Sequence, residues 1–90
     1  MSRDEKQQFA AEARVTSALR ACGKAAVTLP ATGEVVTLED VSPDQANFAF
    51  QITVNERIHT TTSGVGVAVI IFVNLVGTQA VLAQVKAEAE

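Results

Sequence analysis

Hydrophobic residues near the start of the chain recur at intervals of three and four. The apolar stripe consists of Ala11, Val15, Ala18, Leu19, Cys22 and Ala26. This spacing places the residues on one face of a helix, and Gly23 suits the left-handed position just past a helix end. We therefore predict a helix over about residues 3–22. Phe9 lies off the stripe, which indicates that this helix makes a second contact.

The middle of the chain has the alternation that is typical of strands. Residues 26–29 and 34–38 flank Pro30-Ala31-Thr32-Gly33, which predicts a β-hairpin because Pro fixes φ and Gly supplies conformational freedom. A half-buried strand is predicted where large apolar residues alternate with smaller or polar ones, at Phe48, Phe50, Ile52 and Val54. The first three of these are expected in the core. Asn55-Glu56 predicts a turn into a threonine-rich strand over residues 57–62.

The segment Val65–Val76 is apolar at nearly every position and rich in Val and Ile. Because both alternating sets of side chains are apolar, the pattern predicts a central strand that is covered on both faces. Gly77 ends this segment, and Thr78 can cap a last helix. The apolar side of that helix would carry Val81, Leu82, Val85 and Ala89.

These elements together predict an α+β fold. It has an N-terminal helix, a mostly antiparallel sheet of four to five strands and a C-terminal helix, with the helices on one face of the sheet. The chain has 90 residues, of which 48% are hydrophobic and 19% charged. We therefore expect residues 1–90 to form a single domain, because so short a chain cannot build two separate cores. The apolar content also argues against intrinsic disorder.

A second interpretation of the apolar segment is a membrane span. Residues 64–83 are uncharged, and as one helix these 20 residues would be about 30 Å long, enough for a bilayer core. Asn74, Thr78 and Gln79 oppose this interpretation because polar groups inside a bilayer are costly. The chain also has no Trp or Tyr to anchor an interface. We favour the water-soluble fold, and a small single-span membrane protein with residues 64–83 as its transmembrane helix is the alternative.

The charge is distributed unevenly. Residues 1–24 carry five cations and three acids, and residues 25–56 carry five acids and no cation. The net charge of −3 argues against nucleic acid as a partner, because phosphate neutralisation needs clustered Lys and Arg. The element order resembles that of double-stranded-RNA-binding domains, whose RNA contacts come from basic residues before the last helix. The matching stretch here, residues 77–84, has no cation, so the resemblance covers topology only.

The candidate reactive residues do not form a catalytic or metal-binding pattern. His59 is the only histidine, and Glu56 and His59 would lie on opposite faces of a strand. Cys22 is the only cysteine; at a helix C-terminus we expect it to be a packed small hydrophobe. The cluster of Glu39, Asp40 and Asp44 does not match the order of a calcium loop. We therefore expect no enzymatic activity, no cofactor and no metal.

The expected function is that of a non-catalytic structural or assembly subunit. It would form a homo-oligomer or an accessory component of a larger particle such as a virion, because 90 residues cannot hide all the apolar surface. A sheet edge open to strand addition would also serve assembly. The single cysteine favours a reducing compartment, so the expected location is the cytoplasm or an assembled particle. The expected contact residues, on the outer face of the predicted last strand and on the first helix, are Phe9, Ile70, Phe72 and Val76.

A binding domain with an apolar pocket for a small ligand is a further hypothesis. It belongs to a different class from the assembly subunit and the membrane protein, and the sequence contains no motif that favours a particular ligand.

Overall fold

The computed structural model describes residues 3–41 and 49–85. Within these ranges the chain forms four strands and three helices. In chain order these are α1 (Arg3–Cys22), β1 (Lys24–Thr28), β2 (Val35–Asp40), β3 (Phe50–Val54), β4 (Arg57–Thr62), α2 (Val65–Val76) and α3 (Thr78–Gln84). The helices pack against the sheet, so the predicted α+β class is confirmed.

Helix α1 has the predicted bounds and buries three residues of the predicted stripe, whereas Ala26 lies on β1 and is exposed. Ala11, Val15 and Leu19 lie in the core, each one turn from the next. Cys22, in contrast, is exposed, so its prediction as a packed residue was wrong. The reason is positional: Cys22 is the last residue of α1, and Gly23 turns the chain away from the helix axis with a φ of 76°.

The sheet is an antiparallel meander in the order β1-β2-β3-β4. Side chains alternate between its faces, and the register aligns the buried residues of neighbouring strands: Val27 pairs with Val36, and Leu38 pairs with both Ala25 and Ile52. These five residues form the helix-covered face. No residue of β4 is buried, so this edge strand contributes least to the core.

Two tight turns connect the first and last strand pairs. In the β1–β2 turn the Gly33 amide donates to the Leu29 carbonyl at 2.7 Å, as the Pro-Ala-Thr-Gly sequence predicts. The β3–β4 turn consists of Asn55 and Glu56, with φ values of 50° and 72°. Positive φ at both central residues defines the hairpin turn whose twist matches that of the strands. Glu56 adopts this conformation although it is not glycine.

Segment Val65–Val76 is a helix, so the prediction of a fifth strand was wrong. Its buried residues recur at intervals of three and four, at Ala68, Val69, Phe72, Val73 and Val76. The sequence hides this period because the exposed positions between them are also apolar. The 12-residue length was the available signal, since typical strands have about 5–6 residues and helices about 10 or more.

Helix α3 begins after a sharp bend at Gly77, where α2 and α3 meet at 98°. Val81 and Val85 are buried, and Leu82 packs against the core, as predicted. Val85 lies one residue beyond α3, and Thr78 is the first residue of the helix and not its predicted cap. The Arg14 guanidinium of α1 donates to the carbonyl of Leu82 at 3.0 Å and to that of Val85 at 3.3 Å. These bonds satisfy carbonyls that a helix C-terminus leaves unpaired.

The core lies between the three helices and the inner face of the sheet. Phe72 is the largest fully buried side chain. Of the predicted core residues on β3, Ile52 is fully buried and Phe50 is half-buried against the core. Phe48 lies outside the described residues, as do Asp44 and Ala89. Among the residues that the structure describes, none with a polar or charged side chain is buried.

Replacing Glu56 with glycine should stabilise the fold. A left-handed conformation costs a residue with a Cβ about 1–2 kcal/mol, whereas glycine adopts it readily. We expect Glu56→Gly to raise the free energy of unfolding by about 1 kcal/mol in urea titrations. Glu56→Ala is the matched control because it removes the carboxylate and keeps the strain. If Glu56→Ala stabilises as much as Glu56→Gly does, backbone strain is not the cause.

Candidate interaction surfaces

Helix α2 leaves apolar side chains exposed on the side that faces away from the sheet. Val67 is 54% exposed and Ile70 is 46% exposed, and Asn74 continues this line one turn further. Val65 is exposed in the first turn of the helix. Val65 lies about 200° around the helix from Val67, so we call only Val67 and Ile70 the α2 outer surface. It is uncharged, and Asn74 is the only polar side chain in α2.

The four predicted contact residues divide between the surface and the core. Phe9 is 67% exposed on α1, and Ile70 belongs to the α2 outer surface. Phe72 is fully buried and Val76 nearly so. In a strand, Ile70 and Phe72 would share a face, but in a helix they lie about 200° apart. The helical conformation therefore turns Phe72 toward the sheet. Phe72 and Val76, which were predicted as contact residues, are buried and do not present side chains to a partner.

The outer face of the sheet is more polar. A row of paired residues crosses all four strands, from Ala26 through Thr37 and Thr53 to Ile58. Ile58 is 63% exposed, and Val35 is also exposed. Threonines therefore separate the apolar residues of this face. It is a less continuous apolar surface than the α2 outer surface.

Both edges of the sheet carry features that oppose strand addition. On β1, the Thr28 amide donates to Gln84 Oε1 at 2.9 Å, and Gln84 Nε2 donates to the Thr28 carbonyl at 2.8 Å. The Gln84 side chain thus pairs with the Thr28 backbone groups that a neighbouring strand would use. On β4, the register shifts so that Ile52 pairs with Thr60 and Thr53 with Ile58. The resulting irregularity at His59 is a β-bulge of the kind that protects edge strands.

The candidate reactive side chains that the structure describes are all exposed: Cys22, Glu39, Asp40, Glu56 and His59. His59 is exposed on β4, where its Nδ1 lies 2.7 Å from the Thr60 hydroxyl. Glu56 is in the turn, not on the strand that carries His59. An open groove beside them is lined by Glu34, Val54, Asn55, Arg57, Ile58 and His59. Within residues 3–41 and 49–85, no three His, Cys, Asp or Glu side chains are grouped so that they could hold a metal ion.

The proposed span over residues 64–83 is not one helix. In the described part of the chain, no single helix has the length and apolar character needed to cross a bilayer. Helices α2 and α3 meet those two criteria only when they are taken together, and they are bent by 98° at Gly77.

Comparison of the chain with protein-family models, with curated proteins and with solved structures finds no match to any of them.

The helical assignment of Val65–Val76 predicts opposite results for two residues that a strand would place on one face. Phe72→Ala should lower the free energy of unfolding by about 3–5 kcal/mol, because it leaves a cavity in the core. Ile70→Ala should change it by no more than about 0.5 kcal/mol in dilute solution, because the side chain is exposed. Chemical denaturation of the two variants measures both values. Equal losses for the two would contradict the helical assignment.

Proposed function

We propose that this chain is a non-catalytic assembly subunit whose copies associate through the α2 outer surface. In this role the chain forms a homo-oligomer, either alone or as an accessory component of a larger particle such as a virion. The proposal includes no cofactor, no metal and no nucleic acid.

One observation carries the proposal: Asn74 is the only polar side chain of α2, yet the sheet and the other described helices leave Val67 and Ile70 exposed. Helices that are hydrophobic all round are normally buried on all sides, whereas surface helices have a polar outer stripe. Here the positions of that outer stripe hold Val67 and Ile70. Exposed apolar side chains that lie next to each other on a helix are typical of interaction sites in folded proteins.

The absence of charge on α2 favours a second copy of this chain as the partner. A two-fold symmetric contact opposes a surface to itself, so any charged residue near the axis would face its own kind. The segment from Ile58 to Val85 contains no Asp, Glu, Lys or Arg, and this like-charge repulsion does not arise on α2. The outer face of the sheet, with Lys24 and Glu39 at one end, lacks this property.

Association should be lost when a charge is placed on the α2 outer surface. We expect Ile70→Asp to be a monomer of 9.5 kDa at concentrations where the unmodified chain is a discrete multimer. Burying two carboxylates near a symmetry axis is strongly unfavourable because neither has a partner. Size-exclusion chromatography with light scattering on detergent-free protein, over a range of concentrations, measures the mass directly.

Ile58→Asp is the matched control, since it makes the same change at an exposed isoleucine on the opposite layer. It should leave the multimer intact. If Ile58→Asp dissociates the multimer and Ile70→Asp does not, the contact between copies lies on the outer face of the sheet and not on α2. An unmodified chain that is monomeric at every concentration would overturn homo-association. Protein that stays with membranes until detergent is added would overturn it in favour of the membrane alternative.

A further inference from the structure

The bend between α2 and α3 interrupts a helix that could otherwise continue. The Gly77 amide donates to the Val73 carbonyl at 2.7 Å, and the Val81 amide donates to the Gly77 carbonyl at 3.2 Å. Both bonds have the spacing of an α-helix. Between them, the bend takes the amides of residues 78–80 out of the helical ladder, and no side chain caps the start of α3.

The bend depends on the conformation of one residue. Gly77 has a φ of 92° and a ψ of 142°, a region that residues with a Cβ rarely adopt. Nothing lies within 4 Å of the position that a Cβ would take at Gly77. An added methyl group would therefore oppose the bend through backbone strain alone, without a steric clash.

A straight α2–α3 helix would restore the interrupted backbone hydrogen bonds. It would also carry α3 away from its docking site, so that Val81 and Val85 would lose their burial. The straight form therefore has more backbone hydrogen bonds, and the bent form has more apolar packing. Only a second docking site could make the straight form as favourable as the bent form.

A second copy of the chain supplies such a site. In the bent form, α3 is held by side chains of α1 and by the edge of β1, not by α2 alone. Gln79 donates to the Gln7 side chain at 2.8 Å, Arg14 donates to the last carbonyls of α3, and Gln84 pairs with the Thr28 backbone. The site that receives α3 is thus complete without the bend, and each copy presents it.

We infer that α3 is an exchangeable arm that docks on α1 and β1 of a second copy when α2 and α3 straighten at Gly77. Exchange of identical elements is an established route to dimers at low cost, because every contact is remade between chains. This inference concerns Gly77 and α3, and it does not depend on the association proposed for the α2 outer surface.

A lipid bilayer is a poorer partner for the straight helix than a second copy. Asn74, Thr78 and Gln79 would lie within the span, where unpaired polar side chains are costly, and Gln84 would lie at its end. In an exchanged dimer, Gln79 and Gln84 would regain their partners on α1 and β1. The dimer therefore satisfies side chains that a bilayer would leave unpaired.

Cross-linking can show which chain each α3 contacts. The reporter chain carries Cys22→Ser, because Cys22 is exposed, together with Gln7→Cys and Gln79→Cys. A short bismaleimide joins the two new cysteines within one chain in the bent form and between chains in the exchanged dimer. Denaturing gels separate the two products by mass. A chain with Cys22→Ser and Gln79→Cys alone measures random cross-linking.

Adding Gly77→Ala to the reporter should raise the ratio of interchain to intrachain product by about 5- to 30-fold, the factor expected when a residue with a Cβ is strained in this backbone conformation. Gly33→Ala is the matched control. Gly33 has a φ of 77° and equally open space around it, but it lies in the β1–β2 turn, so the ratio should not change. Circular dichroism verifies that each variant is folded. The reporter chain that keeps Gly77 provides a second test. Its interchain product should increase with protein concentration.

The outcomes separate this inference from the proposed function. Suppose that the Gly77→Ala chain is a multimer, that Ile70→Asp dissociates it, and that cross-linking gives only intrachain product. This result would overturn the exchange and leave the proposed association standing. Interchain product from a chain that shows no association apart from this exchange would support the exchange and overturn the proposed association. Intrachain product at every concentration, or binding of Gly77→Ala to phosphatidylcholine vesicles without interchain product, would overturn the exchange.

Discussion

The packing of α2 against the inner face of the sheet is the interaction on which the rest of the structure depends. The inner side chains of β1, β2 and β3 form one apolar face, and α2 contacts β2, β3 and β4. Phe72, the largest fully buried side chain, comes from the middle of this helix. Helix α1 then packs on α2 and β1, and α3 packs on α1. Without α2, the inner face of the sheet would lose the centre of its cover.

The same constraint explains why apolar surface remains exposed. A small domain has a high ratio of surface to volume, so a central helix in a single layer has one side against the sheet and one side outward. In α2 the outward side holds Val67 and Ile70 at positions that are usually polar in surface helices. The polar contacts that hold α3, from Gln7, Arg14 and Gln84, are elsewhere. The fold therefore separates its polar docking contacts from its main exposed apolar surface.

The elements that could be predicted from the sequence are those with a visible period or turn signal. The stripe from Ala11 to Leu19 predicted α1, and the alternation around Ile52 predicted β3; both predictions are confirmed. Segment Val65–Val76 was wrongly predicted because uniform apolarity removes the period, and Val and Ile favour strands as isolated residues. Its conformation is decided by tertiary packing and not by propensity. The contacts of Arg14 and Gln84 with distant backbone groups have no local sequence signal, so only the structure reveals them.

The most direct measurement of the central claim is a dilution series followed by NMR of the isoleucine methyl groups. The chain has four isoleucines, at positions 52, 58, 70 and 71, and three of them report on different layers. Ile52 lies in the core, Ile58 on the outer face of the sheet and Ile70 on the α2 outer surface. We predict that the Ile70 methyl resonance shifts with protein concentration while those of Ile52 and Ile58 stay constant. A shift at Ile58 without one at Ile70, or no shift at any isoleucine, would contradict the account.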